Sequence, residues 1–315
     1  LGVTKGWVAI TKIDIVKDEE WIDLVELDIQ ECLLLRGFNA FSVHRINNLN
    51  GISVSKLKSD IEHIVNKKVP YFDSDYFRLY IDRVFSKTGF GTIVTGTVVN
   101  GSIEEGEEVE ILPSKARVKI RSLQSHGGGT KAIKTGDRAA LNLSNIKLGE
   151  LHRGQTLCYP GILKPTKNAI VRIKMVQSTS WKIKNNQRLR FHFGTSEVLG
   201  RLKTCNYKVI KKNESLNAVI KLESPVAIAL DDKFIIRSYS PMETIAGGIV
   251  LETNLKASWS RINDLLMNIP LDPDKRFRFL VEYNWKRPKP LKFWKRKFFN
   301  SRYEIKILKN DELEL

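Results

Sequence analysis

Cysteine is scarce in this 315-residue chain: Cys32, Cys158 and Cys205 are the only three. They are odd in number, far apart and without metal-ligand spacing, which excludes a disulfide framework, argues against a metal site and fits a reducing, cytoplasmic compartment. Long apolar runs are missing too. No stretch of about eighteen apolar residues and no charged-then-apolar leader occurs, so neither a membrane span nor a signal peptide is expected. Also absent is a G-x-x-x-x-G-K-[ST] phosphate loop, so the chain as given is expected not to turn over a nucleoside triphosphate, and no catalytic residue is assigned.

What is present in excess is positive charge, and it is unevenly spread. Residues 1–150 hold 20 Lys and Arg against 20 Asp and Glu, whereas residues 151–315 hold 32 against 15. A lopsided basic region of this size points to a polyanionic partner, RNA before an acidic protein or a membrane surface. A Lys-rich solvated surface is the plain alternative. The stretch 275–309 carries thirteen Lys and Arg and two Glu, interleaved with Phe277, Trp285, Phe293 and Trp294.

The first residues pattern as a strand over 6–10, then Thr11-Lys12-Ile13-Asp14, then an amphipathic helix over 21–35. A carboxylate in that place can accept from guanine N1–H and the exocyclic amine together, a donor pair that adenine lacks. Asp14 also fits as a cap of the following helix. A second strand is expected over 38–41, ending at Ser42, with a helix over 54–65. Residues 67–71 break that helix. From there the pattern is β-rich: 77–85, 92–99 and 109–112 are strands in a row, with Gly89, Gly91, Asn100-Gly101 and Gly106 at their corners. Further strands are expected over 116–123, 138–143 and 155–159, with turns at 127–129 and 136–137. After a linker at 160–165 come strands near 169–176, 188–193, 199–204, 218–222 and 234–239. Antiparallel runs cornered by glycine in this way close into barrels. Residues 258–268, 276–285 and 290–299 pattern as helices.

The stretch Phe77-Arg-Leu-Tyr-Ile-Asp-Arg-Val-Phe, followed by Gly89-Phe-Gly-Thr-Ile-Val-Thr-Gly-Thr97 and Gly101-Ser-Ile-Glu-Glu-Gly-Glu-Glu-Val109, resembles the second domain of the EF-Tu superfamily of translational GTPases. Within it, the stretch is most similar to the selenocysteine-specific elongation factor family, SelB. The opening Leu1-Gly-Val, the Thr-Lys-x-Asp motif, and Gly51-Ile52 before a helix are similar to the same family's GTPase domain. Leu189-Arg-Phe-His-Phe-Gly-Thr195, Gly200-Arg201, Asp232-Lys-Phe-Ile-Ile-Arg237 and Ile245-Ala-Gly-Gly-Ile-Val250 are similar to its third domain. Two departures stand out: Val43 replaces the family's alanine after Ser42, and the loop from Ser42 to Gly51 is longer than usual. The D-x-P-G-H switch motif is absent from the chain.

The resemblance implies a C-terminal piece of an α/β P-loop GTPase domain over 1–70, translation-factor β-barrels over 76–160 and 166–253, and a basic helical or partial winged-helix module over 256–315. It implies delivery of selenocysteinyl-tRNA to the ribosome, with GTP and Mg2+ as cofactors of the complete protein and tight binding of neither by this chain. An mRNA hairpin is implied as a partner of the C-terminal extension. Thr11, Lys12, Asp14 and Ser42 fall on the guanine-binding positions, with Lys12 lying over the base. Asp82, Arg83 and Arg138 fall on the aminoacyl pocket, although Asp82 and Arg83 also read as a simple surface pair. His192, Arg201 and Arg237 are candidate tRNA contacts, with a hydrogen-bonded core position as the alternative for His192. A general aminoacyl- or initiator-tRNA carrier, and a nucleotide-independent RNA-binding remnant, remain the other functional readings.

Overall fold

The computed structural model describes residues 5–38, 40–66, 76–89, 91–205 and 208–300. The expected break at 67–71, Phe90 between its two glycines, and the end of the basic tail lie outside these. The chain divides into two compact units, residues 1–71 with 176–180, and 72–175 with 181–315.

In the first unit, β1 (Lys5–Thr11) and β2 (Ala40–Ile46) pair in parallel, joined by helix α1 (Glu19–Leu35); helix α2 (Val54–Val65) follows. The parallel pair requires a crossover, and α1 supplies it. Asp18 caps α1, its carboxylate accepting from the Glu20 N–H at 3.0 Å, and Glu19 and Glu20 sit where the helix dipole favours acids. Asp18, and not Asp14, is therefore the cap. From β2, Arg45 reaches back to α1 and donates to Asp23 at 2.6 Å and Glu26 at 2.7 Å. Strand β2 runs well past Ser42, the end expected from sequence. Val43 and Ile46 continue its apolar pattern, and the buried His44 finds Asp60 at 3.2 Å, so the polar residues there do not stop the ladder.

The second unit opens with a barrel made of β3 (Arg78–Lys87), β4 (Gly91–Asn100), β6 (Glu108–Leu112), β7 (Ala116–Ser125), β10 (Arg138–Leu143) and β11 (Thr156–Cys158). The short strands β5 (Ser102–Glu104) and β9 (Ala132–Lys134) pair with each other. Strand β8 (Gly128–Thr130) adds to β7 where the sequence suggests only a turn. Around the barrel the order is β3-β4-β10-β7-β6-β11, so the strands read in a row are not all neighbours: β11 comes back between β3 and β6. Alternation sends Leu79, Ile81, Val94, Val98, Ile111 and Leu157 into the core. Gly96 lies where β3 comes closest to β4; a Cβ there would stand 2.2 Å from the Tyr80 carbonyl oxygen and 2.6 Å from the Leu79 side chain.

A second closed barrel follows, ordered β12 (Thr166–Met175), β15 (Ser215–Val226), β14 (Ser196–Thr204), β13 (Gln187–Phe193), β16 (Lys233–Arg237), β17 (Thr244–Thr253). Three phenylalanines, Phe191, Phe193 and Phe234, pack against one another at its centre with ring centroids 5.0–6.5 Å apart. Helices α3 (Trp259–Asn268), α4 (Pro273–Tyr283) and α5 (Leu291–Lys297) form the basic module. Leu265, Leu266, Leu280, Trp294 and Phe298 share a core with Ile170, Val219 and Leu251 of the second barrel.

The two barrels meet at a buried ion pair. Arg78 of β3 donates Nη1 to Asp232 Oδ2 at 2.9 Å and Nη2 to Oδ1 at 2.6 Å, with both side chains almost wholly buried. The Ala229 N–H, the Tyr80 hydroxyl and the Asn300 amide also donate to that carboxylate. Burial on its own would lower the Arg78 pKa, but the Asp232 carboxylate overrides it and keeps the guanidinium charged. Beside this pair the β13–β14 turn presses on β3. The Thr195 hydroxyl donates to the Ile81 carbonyl at 2.7 Å, and Gly194, at φ 53°, leaves only 2.6 Å between a hypothetical Cβ and the Tyr80 ring.

Candidate functional site

Three groups of sequence-predicted residues can be placed, beginning with the first barrel. In a regular strand Asp82 and Arg83 would point to opposite faces. The register of β3 against β4 slips between Ile81 and Arg83, a bulge that leaves Ile81 buried while Asp82 and Arg83 both emerge. Asp82 therefore faces β4 and β10. The Thr95 hydroxyl donates to its Oδ1 at 2.7 Å, and Arg138 Nη1 stands 2.6 Å from its Oδ2. Burial would raise the Asp82 pKa, but these two donors, and Arg83 through space, bring it below the usual carboxylate value. Arg83 is exposed and has no carboxylate within ion-pair distance among the described residues. The cluster therefore carries two guanidiniums and one carboxylate, and Asp82 pairs with Arg138, not with its chain neighbour.

On the second barrel, strand β13 turns Arg188, Arg190 and His192 outward, alternating with Leu189, Phe191 and Phe193 in the core. Register aligns Arg237 of β16 with Arg190, Arg201 of β14 with Arg188, and Lys221 of β15 with Arg201. The result is a band of cations across four strands. Sequence reasoning named Arg201 and Arg237 but missed Arg188 and Arg190; the alternation Arg-Leu-Arg-Phe-His-Phe was the available signal. Arg188 is forked onto Glu223 at 2.7 and 2.8 Å, Arg190 reaches Glu197, and both guanidiniums lie over the Tyr239 ring at 5.1–5.2 Å. His192 is not a hydrogen-bonded core residue. It is half-buried on the outer face, its Nε2 has no hydrogen-bond partner among the described residues and Glu197 stands 3.8 Å away. Burial lowers its pKa, more than Glu197 raises it, which favours neutral imidazole.

In the first unit, Thr11 ends β1, Lys12 follows at φ 61°, and Asp14 lies in the exposed turn beyond. Ser42 does not join them. It pairs with Trp7, four residues before the Thr11–Ile46 pairing that ends the sheet, about 13 Å back along the strand. The polar residue at the sheet end is Asn47, whose side chain accepts from the Leu49 N–H at 2.9 Å. Asp14 is exposed and not needed as a cap, whereas Ser42 in this register lies away from the sheet end where Thr11 and Asp14 sit.

Residues 91–158 match the family model of elongation factor Tu domain 2, and residues 170–257 match that of the selenocysteine-specific elongation factor β-barrel domain. A bacterial selenocysteine-specific elongation factor structure, EF-Sec, shares the fold at TM-score 0.76 and 22% identity, covering 94% of this chain and 48% of that one. The apo translation elongation factor SelB of Methanococcus maripaludis aligns at TM-score 0.68 and 23% identity, over 80% of this chain and 59% of that one. Its complex with the GTP analogue GppNHp aligns at TM-score 0.67. The two barrels, in this order, match domains of translation factors of the EF-Tu type. The selenocysteine-specific elongation factor of Desulfomicrobium baculatum is 34% identical over 251 residues, 80% of this chain and 39% of that protein. The chain belongs to the selenocysteine-specific elongation factor family and spans well under half the length of this curated relative.

Proposed function

We propose that the chain forms the tRNA-holding part of a GTP-dependent elongation factor that delivers selenocysteinyl-tRNA to the ribosome in the cytoplasm. The observation that carries this reading is the Asp82–Arg138–Arg83 cluster on the bulge of β3. A selenol is more acidic than a thiol, whose free pKa is about 8.5, so the selenocysteine side chain arrives largely as an anion. Asp82 fixes the Arg138 fork, and Arg83, without a described carboxylate of its own, offers its charge to the selenolate. Serine on the same tRNA brings only a neutral hydroxyl.

The cation band of the second barrel supports tRNA phosphates without reading the amino acid. GTP with Mg2+ supplies the switch between carrying and releasing tRNA in the complete protein. In this chain Asp14 takes the guanine edge, Lys12 covers the base and Thr11 ends the strand that positions both. The basic helices α3–α5 extend the RNA-facing surface toward an mRNA hairpin.

The test is a ratio of affinities for selenocysteinyl- and seryl-tRNA at fixed salt, in a GTP-loaded chain with a complete nucleotide-binding domain. One charge-assisted contact contributes about 1.5–3 kcal/mol, so Arg83→Ala or Arg138→Ala should weaken selenocysteinyl-tRNA binding about tenfold or more and barely change the seryl form. An unchanged ratio in both variants would make the cluster a barrel or backbone contact and leave a general tRNA carrier as the function.

A further inference from the structure

We propose that the cleft between the second barrel and helices α3–α5 binds an unpaired RNA strand, its phosphates on lysines and arginines and one base stacked on Trp285. This goes beyond the delivery reading and does not depend on it. The site uses neither the aminoacyl cluster nor the guanine residues, and it would serve a carrier of any tRNA equally.

The cleft has a volume of about 1310 Å³ and is lined by nine Lys and Arg and one carboxylate, Glu252. Glu252 is already neutralised by Lys297 at 2.6 Å. Arg261 is held by Tyr283, donating to its hydroxyl at 3.1 Å and lying 4.8 Å over its ring, and Arg296 donates to the Gly161 carbonyl at 3.0 Å. Six cations remain: Lys115, Lys164, Lys256, Lys286, Arg287 and Lys289. None is ion-paired with a described carboxylate. Like charges collected around a concave surface repel one another in the free protein, and a ligand that brings several negative charges at once relieves that repulsion.

The shape and one side chain narrow the ligand. The volume exceeds the roughly 300–1,000 Å³ of small-molecule sites, and the cations are distributed around the lining, which suits a chain of phosphates better than a single anionic metabolite. Trp285 lines the same cleft and is 72% exposed. Its backbone is fixed at the end of α4 by an N–H bond to the Glu282 carbonyl at 3.0 Å, and Lys286 Nζ lies 5.8 Å from its ring. A solvent-facing indole on an anchored backbone, beside unpaired cations, is the arrangement on which an unstacked base rests; a duplex, with its bases already stacked, cannot use it. The frame is preorganised as well. The helices are anchored to the barrel by their shared core and by the Arg276–Asp231 and Lys297–Glu252 pairs, so binding need not order them.

The probes are a short oligouridylate and an RNA duplex of equal length, titrated with the 315-residue protein across a salt series and followed by tryptophan fluorescence. Without nucleotide or aminoacyl-tRNA in the assay, its result is separable from that of the selenocysteine test. Six phosphate contacts predict a log–log salt slope near −4 for the single strand. Trp285→Ala should weaken oligouridylate binding by about five- to a hundredfold and leave duplex binding unchanged. Joint reversal of Lys286, Arg287 and Lys289 to Glu should flatten the slope by about 2, while Lys131→Glu, outside the cleft, changes nothing. All of these residues are exposed, so thermal unfolding should be the same in every variant. Oligouridylate affinity that survives both the Trp285 and the charge-reversal variants would overturn the proposal. Equal binding of strand and duplex, indifferent to Trp285, would overturn it too and reduce the cleft to an unspecific basic surface.

Discussion

Strand β3 carries two arginine–aspartate pairs only a few residues apart, and their environments could hardly differ more. At its start, Arg78 is locked onto Asp232 inside the junction of the two barrels, side-chain exposures 3% and 5%, with the Ala229 N–H and the Asn300 amide donating to the same carboxylate. Past the bulge, Asp82 holds Arg138, whose side chain is 58% exposed, while Arg83 stands beside them without a described partner. The same two residue types form a structural bolt in one place and a solvent-open cluster in the other. Solvent makes the difference: a buried charge must be fully paired, whereas an exposed one can wait for its partner at little cost.

Breaking the comparison at its buried end should have the largest effect. Arg78→Ala leaves Asp232 charged and buried, and about 3–5 kcal/mol of stability should disappear in denaturant unfolding. The double variant Arg78→Met, Asp232→Leu should recover most of that; a double variant as unstable as the single would mean that the pair holds the barrels together by more than charge compensation. Next comes Gly194→Ala. It puts a Cβ against the Tyr80 ring in a left-handed backbone position, with an expected loss of about 1–3 kcal/mol in the same assay.

At the exposed end, Arg83→Ala should leave unfolding within about 0.5 kcal/mol of the parent. A larger loss would make Arg83 part of the barrel and remove the contrast. The smallest effect concerns pH. Because the folded Asp82 carboxyl lies below its ordinary value, its contribution is present above the unfolded pKa and is lost as pH falls through the folded one. The stability difference between wild type and Asp82→Asn should thus be about 1 kcal/mol or less near neutrality and vanish in acid. A difference that persists in acid would point to the Thr95 hydrogen bond, not charge, as its source.

Much of this architecture follows from the sequence read alone. Strand β4 alternates faces as its Ile, Val and Thr residues suggest, α2 spans the expected residues, and the charge excess of the second half appears as the cation band and the basic cleft. Those features are local: a period of two or 3.6 residues reports which side of an element meets a core, and composition reports what the surface attracts. Other features depend on which distant segments meet. Arg78 and Asp232 are 154 residues apart. Strand β11 slips between β3 and β6, the slip in register that turns Asp82 and Arg83 to one side exists only against β4, and Ser42 lies mid-strand because β1 continues to pair beyond it. Barrel closure and strand register are set by contacts between segments far apart in the chain, where the same alternating pattern fits several pairings. Only the packed tertiary structure chooses among them.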